Sequence, residues 1–155
     1  MIEYNSLDAK RVNHALKVYA FARSIGLLEN VDEKTLSIIE AASILHDIGI
    51  RIAEAKYQST AGAYQEKEGV IIAESMLRGE NIDEDIIQRV LYIIGHHHSY
   101  DKIDGIDFQI LVEADLLVNI YEDRINVLDI MHLKKKYFKT NTGIWYLNSL
   151  YIPSK

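Results

Sequence analysis

The sequence predicts an all-α domain. Apolar residues recur every three or four positions along most of the 155 residues, the one proline is Pro153, and the eight glycines fall mostly between the periodic segments. Helix one starts near Ser6 or Leu7 with Ser6 as N-cap. It presents Leu7, Arg11, His14, Val18, Phe21 and Ile25 inward and stops at Gly26. Helix two follows an Asp32 cap, carries Leu36, Ile39, Ala42 and Leu45, and ends at His46 and Asp47, after which Gly49 loosens the backbone. Residues 51–63 are small and polar and read as a loop or frayed helix bordering a pocket. Helix three covers residues 65–78, with Val70, Ala73 and Leu77 inward and Gly79 as its stop. Asp83 caps helix four, residues 84–97, whose stripe of Ile87, Val90, Leu91 and Ile94 ends in His97 or His98. Asp107 caps helix five, which runs to about Tyr121 with Phe108, Leu111, Asp115 and Val118 on one face. The tail, residues 125–151, has enough apolar side chains for one or two covering helices, giving a compact bundle of about six to seven.

The length fits a single domain, 1–155, with one core. Seventeen Lys and Arg against 23 Asp and Glu leave a net charge of −6, which argues against binding a nucleic-acid polymer. The run Lys134-Lys135-Lys136 reads as a solvated helical turn near a C-terminus. There is no cysteine, so thiolate chemistry and sulfur-ligated metal are excluded, and any metal must take nitrogen and oxygen ligands. No apolar run approaches a membrane span, and residues 1–5 have neither a basic nor an apolar leader region; the expectation is a cytoplasmic chain.

Four positions break the apolar interior: His14, the pair His46-Asp47, the run His96-His97-His98, and Asp115. A single core histidine is more often satisfied by a carbonyl than by a metal. Several imidazoles and carboxylates directed into one bundle instead make the mixed shell with which helical bundles build metal sites. The ordered set His14, His46-Asp47-Ile48-Gly49, a later histidine cluster, and Asp115 within Glu113-Ala114-Asp115-Leu116 resembles the HD-domain metal-dependent phosphohydrolase superfamily. The resemblance spans about residues 10–125, leaving residues 125–151 as a helical cover.

That resemblance implies an HD-domain helical bundle holding one or two divalent cations, with His14, His46, Asp47 and Asp115 as ligands of the principal metal. Manganese, iron, cobalt, nickel and zinc all suit such a set. It further implies that Asp47 orients the nucleophilic water, that His97 takes part in catalysis, and that His96 and His97 help to hold a second cation. Departures are present: Gln65 stands where two-metal relatives have a histidine, Ile50 replaces the lysine or acidic residue that other members carry after the tetrapeptide, and no Gly-Tyr-Pro follows the histidine run. Arg11, one turn before His14, and Arg51 are the candidate phosphate contacts. Tyr57, Tyr64 and Tyr100 flank the same segments as candidate stacking faces. The expected activity is hydrolysis of a phosphomonoester or phosphoanhydride in a nucleotide or related small metabolite. A non-catalytic metal- or nucleotide-binding regulatory module and a di-iron oxygenase are the alternatives. No membrane partner is expected, and Trp145 and Tyr151 are the candidate residues for a homodimer contact.

Overall fold

The computed structural model describes residues 1–153. Those residues form eight α-helices: α1 Ala9–Leu28, α2 Glu33–Leu45, α3 Ile50–Tyr57, α4 Gly62–Leu77, α5 Glu84–Ile94, α6 Ile106–Glu122, α7 Val127–Tyr137 and α8 Asn141–Tyr151. A single 3-10 turn, Tyr100–Lys102, lies between α5 and α6, and no strand occurs among the described residues. The all-α bundle expected from the sequence is therefore present, with one helix more than the upper count. The extra one is α3. Residues 51–63 look polar because α3 buries Ala53 alone, but its last residue is followed by Gln58 in the left-handed region at φ 52°, and α4 has begun by Gly62.

The remaining boundaries follow from caps. Asp8, not Ser6, starts α1: its Oδ1 accepts the Arg11 backbone N–H at 3.1 Å, while Leu7 turns outward at φ 69°. The helix continues through Gly26, which is buried because a side chain there would press on Leu36 of α2. Asp32 caps α2 as expected, accepting from Thr35 N at 2.9 Å. In α5 the helix ends at Ile94, so the three histidines fall in the following turn. Gly105 occupies the N-cap of α6, and Asp107 instead sits in its first turn, paired with Arg89 of α5 at 2.6 Å. Asn126 and Thr140 cap the two tail helices.

Helix α6 is the axis of the bundle. Phe108, Ile110, Leu111, Val112, Leu116, Leu117, Val118 and Ile120 are all buried, so its apolar surface runs round the whole circumference, and such a helix belongs in the interior. It packs on α1, α2, α7 and α8; α5 joins it through α2, and the α3–α4 pair packs on α5 through α4. Gly49 permits the close approach of α3 to α4. A Cβ at this position would overlap the Gln65 carbonyl oxygen and the Gly69 backbone, so no larger residue fits. Among the described residues, no helix is long and apolar enough to cross a membrane.

One charge is fully interior. Glu113 of α6 has no solvent exposure, and burial pushes its carboxyl up against the pull of its hydrogen bonds. Its Oε1 accepts from Gln109 Nε2 at 2.8 Å, Lys139 N at 2.6 Å and Thr140 N at 2.9 Å, and its Oε2 accepts from Thr140 Oγ1 at 2.5 Å. This carboxylate ties the α7–α8 junction to the central helix, and a Cβ on Gly143 would overlap Oε2. Glu113→Ala leaves buried donors unpaired and is expected to lower stability by at least about 2 kcal/mol. Gly143→Ala is expected to cost about 1–3 kcal/mol by overpacking. Thermal denaturation followed by circular dichroism measures both.

Candidate metal centre

The C-terminal ends of α2 and α5, the second turn of α1 and the middle of α6 meet at one point. His14 projects from α1, His46 and Asp47 follow the last residue of α2, His97 lies in the turn after α5, and Asp115 projects from α6. His14 Nε2 is 3.2 Å from Asp115 Oδ1 and 3.5 Å from Asp47 Oδ2. His46 Nε2 is 3.4 Å from Asp47 Oδ2 and 3.7 Å from Asp115 Oδ1, and His97 Nε2 is 3.5 Å from Asp47 Oδ1. The His46 ring centroid lies 5.4 Å from those of both His14 and His97.

The opposite ring nitrogens fix what these imidazoles offer. His46 Nδ1 is 2.9 Å from the Ser43 carbonyl, and His97 Nδ1 is 2.7 Å from the Ile94 carbonyl. Both acceptors belong to the last turn of a helix, where carbonyls lack intrahelical partners. His14 Nδ1 is 3.0 Å from Glu122 Oε2. A carbonyl or carboxylate oxygen accepts, so Nδ1 is the N–H donor in each ring and Nε2 carries the lone pair when the ring is neutral. All three Nε2 atoms are buried and have no hydrogen-bond partner. Such orphaned acceptors are costly in a folded interior unless something binds them.

The donor set fits a divalent cation. His14, His46 and Asp47 present ligand atoms within 4.8 Å of one another, and Asp115 closes the same cluster through its contacts with both histidines. Two imidazoles and two carboxylates, with each imidazole oriented by a second hydrogen bond, form a familiar nitrogen and oxygen shell. Electrostatics point the same way. Burial opposes charge on His14 and His46, but the Asp115 and Asp47 carboxylates outweigh it and hold both rings above the usual histidine range. Burial also opposes ionisation of Asp47 and Asp115, and the facing histidines hold both carboxyls below the usual range. Without a cation, the cluster retains protons in the place of positive charge.

Asp47, His97 and His98 form a second group whose ligand atoms also lie within 4.8 Å of one another. This differs from the expected pairing of His96 with His97. His96 turns away: its Nδ1 is 2.7 Å from the Tyr92 carbonyl and its ring packs on Tyr92 at 4.5 Å, because consecutive residues in the turn after α5 point in different directions. His98 faces Gln65, with Nε2 3.1 Å from Oε1, while Gln65 Nε2 donates to the Thr60 carbonyl at 2.5 Å. Gln65 thus occupies the edge of the second group as a neutral partner of His98. Burial, together with the neighbouring His97, shifts His98 below the usual histidine range.

The expected phosphate contacts fare differently. Arg11 borders a cavity of about 270 Å³ that also reaches His14, Asp47 and Glu122, but its guanidinium already binds Asp8 at 2.7 Å and Glu54 at 2.6 Å. Arg51 is not brought to the cluster; it is exposed and donates to the Tyr4 carbonyl at 2.7 Å, holding the N-terminal turn. Tyr57 and Tyr64 stack on each other at 4.2 Å, and Tyr57 and Lys56 both bind Glu68. Tyr100 stays near the centre. Burial, with the charges of Asp115 and Tyr137, pushes its hydroxyl up to about 12, so it remains a donor at neutral pH. Trp145 is exposed, whereas Tyr151 is half-buried and donates to the Leu117 carbonyl at 2.7 Å.

Glu122 is the residue that sequence reasoning missed. It orients His14 and is itself paired with Lys17, and these hydrogen bonds hold its carboxyl low against the effect of burial. The available signal was spacing: Glu122 follows Asp115 by two helical turns on the same face.

Comparison with known proteins bears on the fold and the family. The crystal structure of a predicted HD superfamily hydrolase from an uncultured Thermotogales bacterium superposes with a TM-score of 0.67 at 21% identity, covering 94% of this chain and 77% of that one. No curated protein matches this chain. The HD domain family matches residues 11–132, which include every residue of the cluster. The chain belongs to the HD domain family.

Proposed function

We propose that the protein is a metal-dependent phosphohydrolase that cleaves a phosphomonoester or phosphoanhydride bond of a nucleotide or related small metabolite. The observation that carries this reading is the convergence of three buried, unpartnered Nε2 atoms on Asp47 and Asp115. His14, His46, Asp47 and Asp115 would hold the principal cation, and Asp47 with His97 and His98 offers a smaller set for another. A cation bound there supplies Lewis acidity toward a phosphoryl oxygen and lowers the pKa of bound water.

The chain's own residues supply the rest. Asp47 is only partly buried, and its two oxygens face different histidines, which suits it to accept a hydrogen bond from an attacking water. His97 Nε2 stands 3.5 Å from Asp47 Oδ1, and with the principal cation alone in place, its lone pair is the one placed to take the proton as the water oxygen bonds to phosphorus. The bond from phosphorus to the leaving oxygen breaks, its electron pair leaves with that oxygen, and the departing oxyanion takes its proton from solvent. Helix ends fix His46 and His97, so the acceptors need little rearrangement during the reaction.

Elemental analysis of purified protein supplied with manganese or iron is expected to find about one equivalent of metal or more. The Asp47→Ala variant is expected to hold none and to release no phosphate from nucleotides while keeping its helical spectrum. Metal-dependent turnover in that variant would refute the site. Glu122→Ala frees the His14 ring and is expected to weaken metal binding by about 10–100-fold, measured by competition with a chelating dye.

Metal affinity is also expected to depend on pH. His14 and His46 have raised pKa values in the metal-free protein, so each proton must leave before its Nε2 can act as a ligand. Affinity therefore rises as pH increases through the raised histidine range and falls on acidification. Titration calorimetry at several pH values in buffers of different ionisation enthalpy measures the protons released.

A further inference from the structure

A cavity beside the metal centre shares only His98 with the candidate ligand groups. It occupies about 740 Å³, a volume that admits a nucleotide, and is lined by His98, Tyr100, Gln109, Lys136, Tyr137 and Lys139 among others. His98 also belongs to the group formed with Asp47 and His97, so the cavity opens directly beside the cluster. Tyr100, which senses the Asp115 charge, lies on the same wall.

Its charge runs against that of the protein. The chain carries a net −6, yet this cavity presents Lys136 and Lys139, and among the described residues neither ammonium group has a carboxylate within 4.0 Å. The carboxylate of Asp101 on the lining lies beside Lys102 at 3.9 Å. Tyr100 and Tyr137 meet edge to face at 4.6 Å, and Lys136 Nζ lies 4.9 Å from the Tyr137 ring centre. Two ammonium groups beside two aromatic rings match a phosphate attached to a flat ring system.

The position of these lysines is built into the core. Glu113 accepts the backbone N–H of Lys139 and of Thr140, and Gln109 donates to the Tyr137 carbonyl at 2.7 Å. Both residues belong to α6, the helix that also carries Asp115. One helix thus sets both the metal ligand and the lysine-bearing junction, and the buried Glu113 charge has a reason to be there.

We propose that this cavity is the recognition pocket for a nucleoside diphosphate-like substrate, with Lys136 and Lys139 holding a phosphate other than the one that reaches the metal centre. The ring system of the substrate lies against Tyr100 and Tyr137. This inference rests on the hydrolytic reading of the centre, and the test separates the two.

Binding of adenosine 5′-diphosphate and adenosine 5′-monophosphate to the full chain is measured by titration calorimetry with a chelator present, where no metal-dependent turnover occurs. The wild type is expected to bind the diphosphate, and the double variant Lys136→Ala/Lys139→Ala is expected to bind it at least about fivefold more weakly, with a smaller loss for the monophosphate. A smaller loss for the diphosphate, an equal loss for both nucleotides, or no diphosphate binding to the wild type at millimolar concentration would overturn the pocket. Both lysines are exposed, and circular dichroism checks that the variant folds. A parallel assay with manganese restored decides the other reading. If neither nucleotide releases phosphate but the binding difference stands, the hydrolytic function fails and the pocket remains as a binding site.

Discussion

Burial of three imidazole lone pairs is the constraint on which the rest of this structure depends. His14, His46 and His97 each spend their Nδ1 hydrogen on a fixed oxygen, and each presents an unpartnered Nε2 to Asp47 and Asp115. In a dry helical core such atoms cost free energy unless a proton or a cation joins them. The raised His14 and His46 and the lowered Asp47 and Asp115 describe the first of these solutions, in which protons occupy this part of the cluster. The donor set fits the second. Helices α1, α2 and α6 are held in register at this point, and a cation there would link three separate segments of the chain.

The central helix serves two purposes at once. Its apolar side chains are buried on every side, which fixes its place, and the acidic residues Glu113 and Asp115 are two positions apart and so point in different directions. Asp115 meets the histidines, while Glu113 anchors the junction between α7 and α8. The tail helices are thereby more than a cover over apolar surface. They bring lysines of α7 and of the junction to the cavity beside His98, in a protein that is otherwise acidic.

Much of this was legible in the sequence, for physical reasons that vary by element. The 3.6-residue periodicity marked the long helices, and Asp32 marked one start through its side-chain cap. Polar residues on apolar stripes singled out His14, His46, Asp47, His97 and Asp115, all of which the fold brings together. The short helix α3 escaped because a helix that buries one alanine has almost no periodic signal. The pairing of His96 with His97 followed from the resemblance, whereas the turn that begins after Ile94 brings His98, and not His96, to Asp47 and His97. Arg51 was misplaced because a charge in a polar segment has no periodicity to say which way it faces; here it ties down the N-terminal turn. Glu113 and Glu122 were passed over because each acts through contacts with residues far along the chain.

The measurement that tests the central claim most directly is X-ray absorption at the metal edge of manganese- or zinc-loaded protein. A shell of mixed nitrogen and oxygen donors at about 2.0–2.2 Å is expected, with outer-shell scattering from imidazole rings that is lost on His14→Ala and His46→Ala substitution. A spectrum of water and carboxylate oxygens alone, unchanged by those substitutions, would contradict the assignment of the buried histidine cluster as a metal centre.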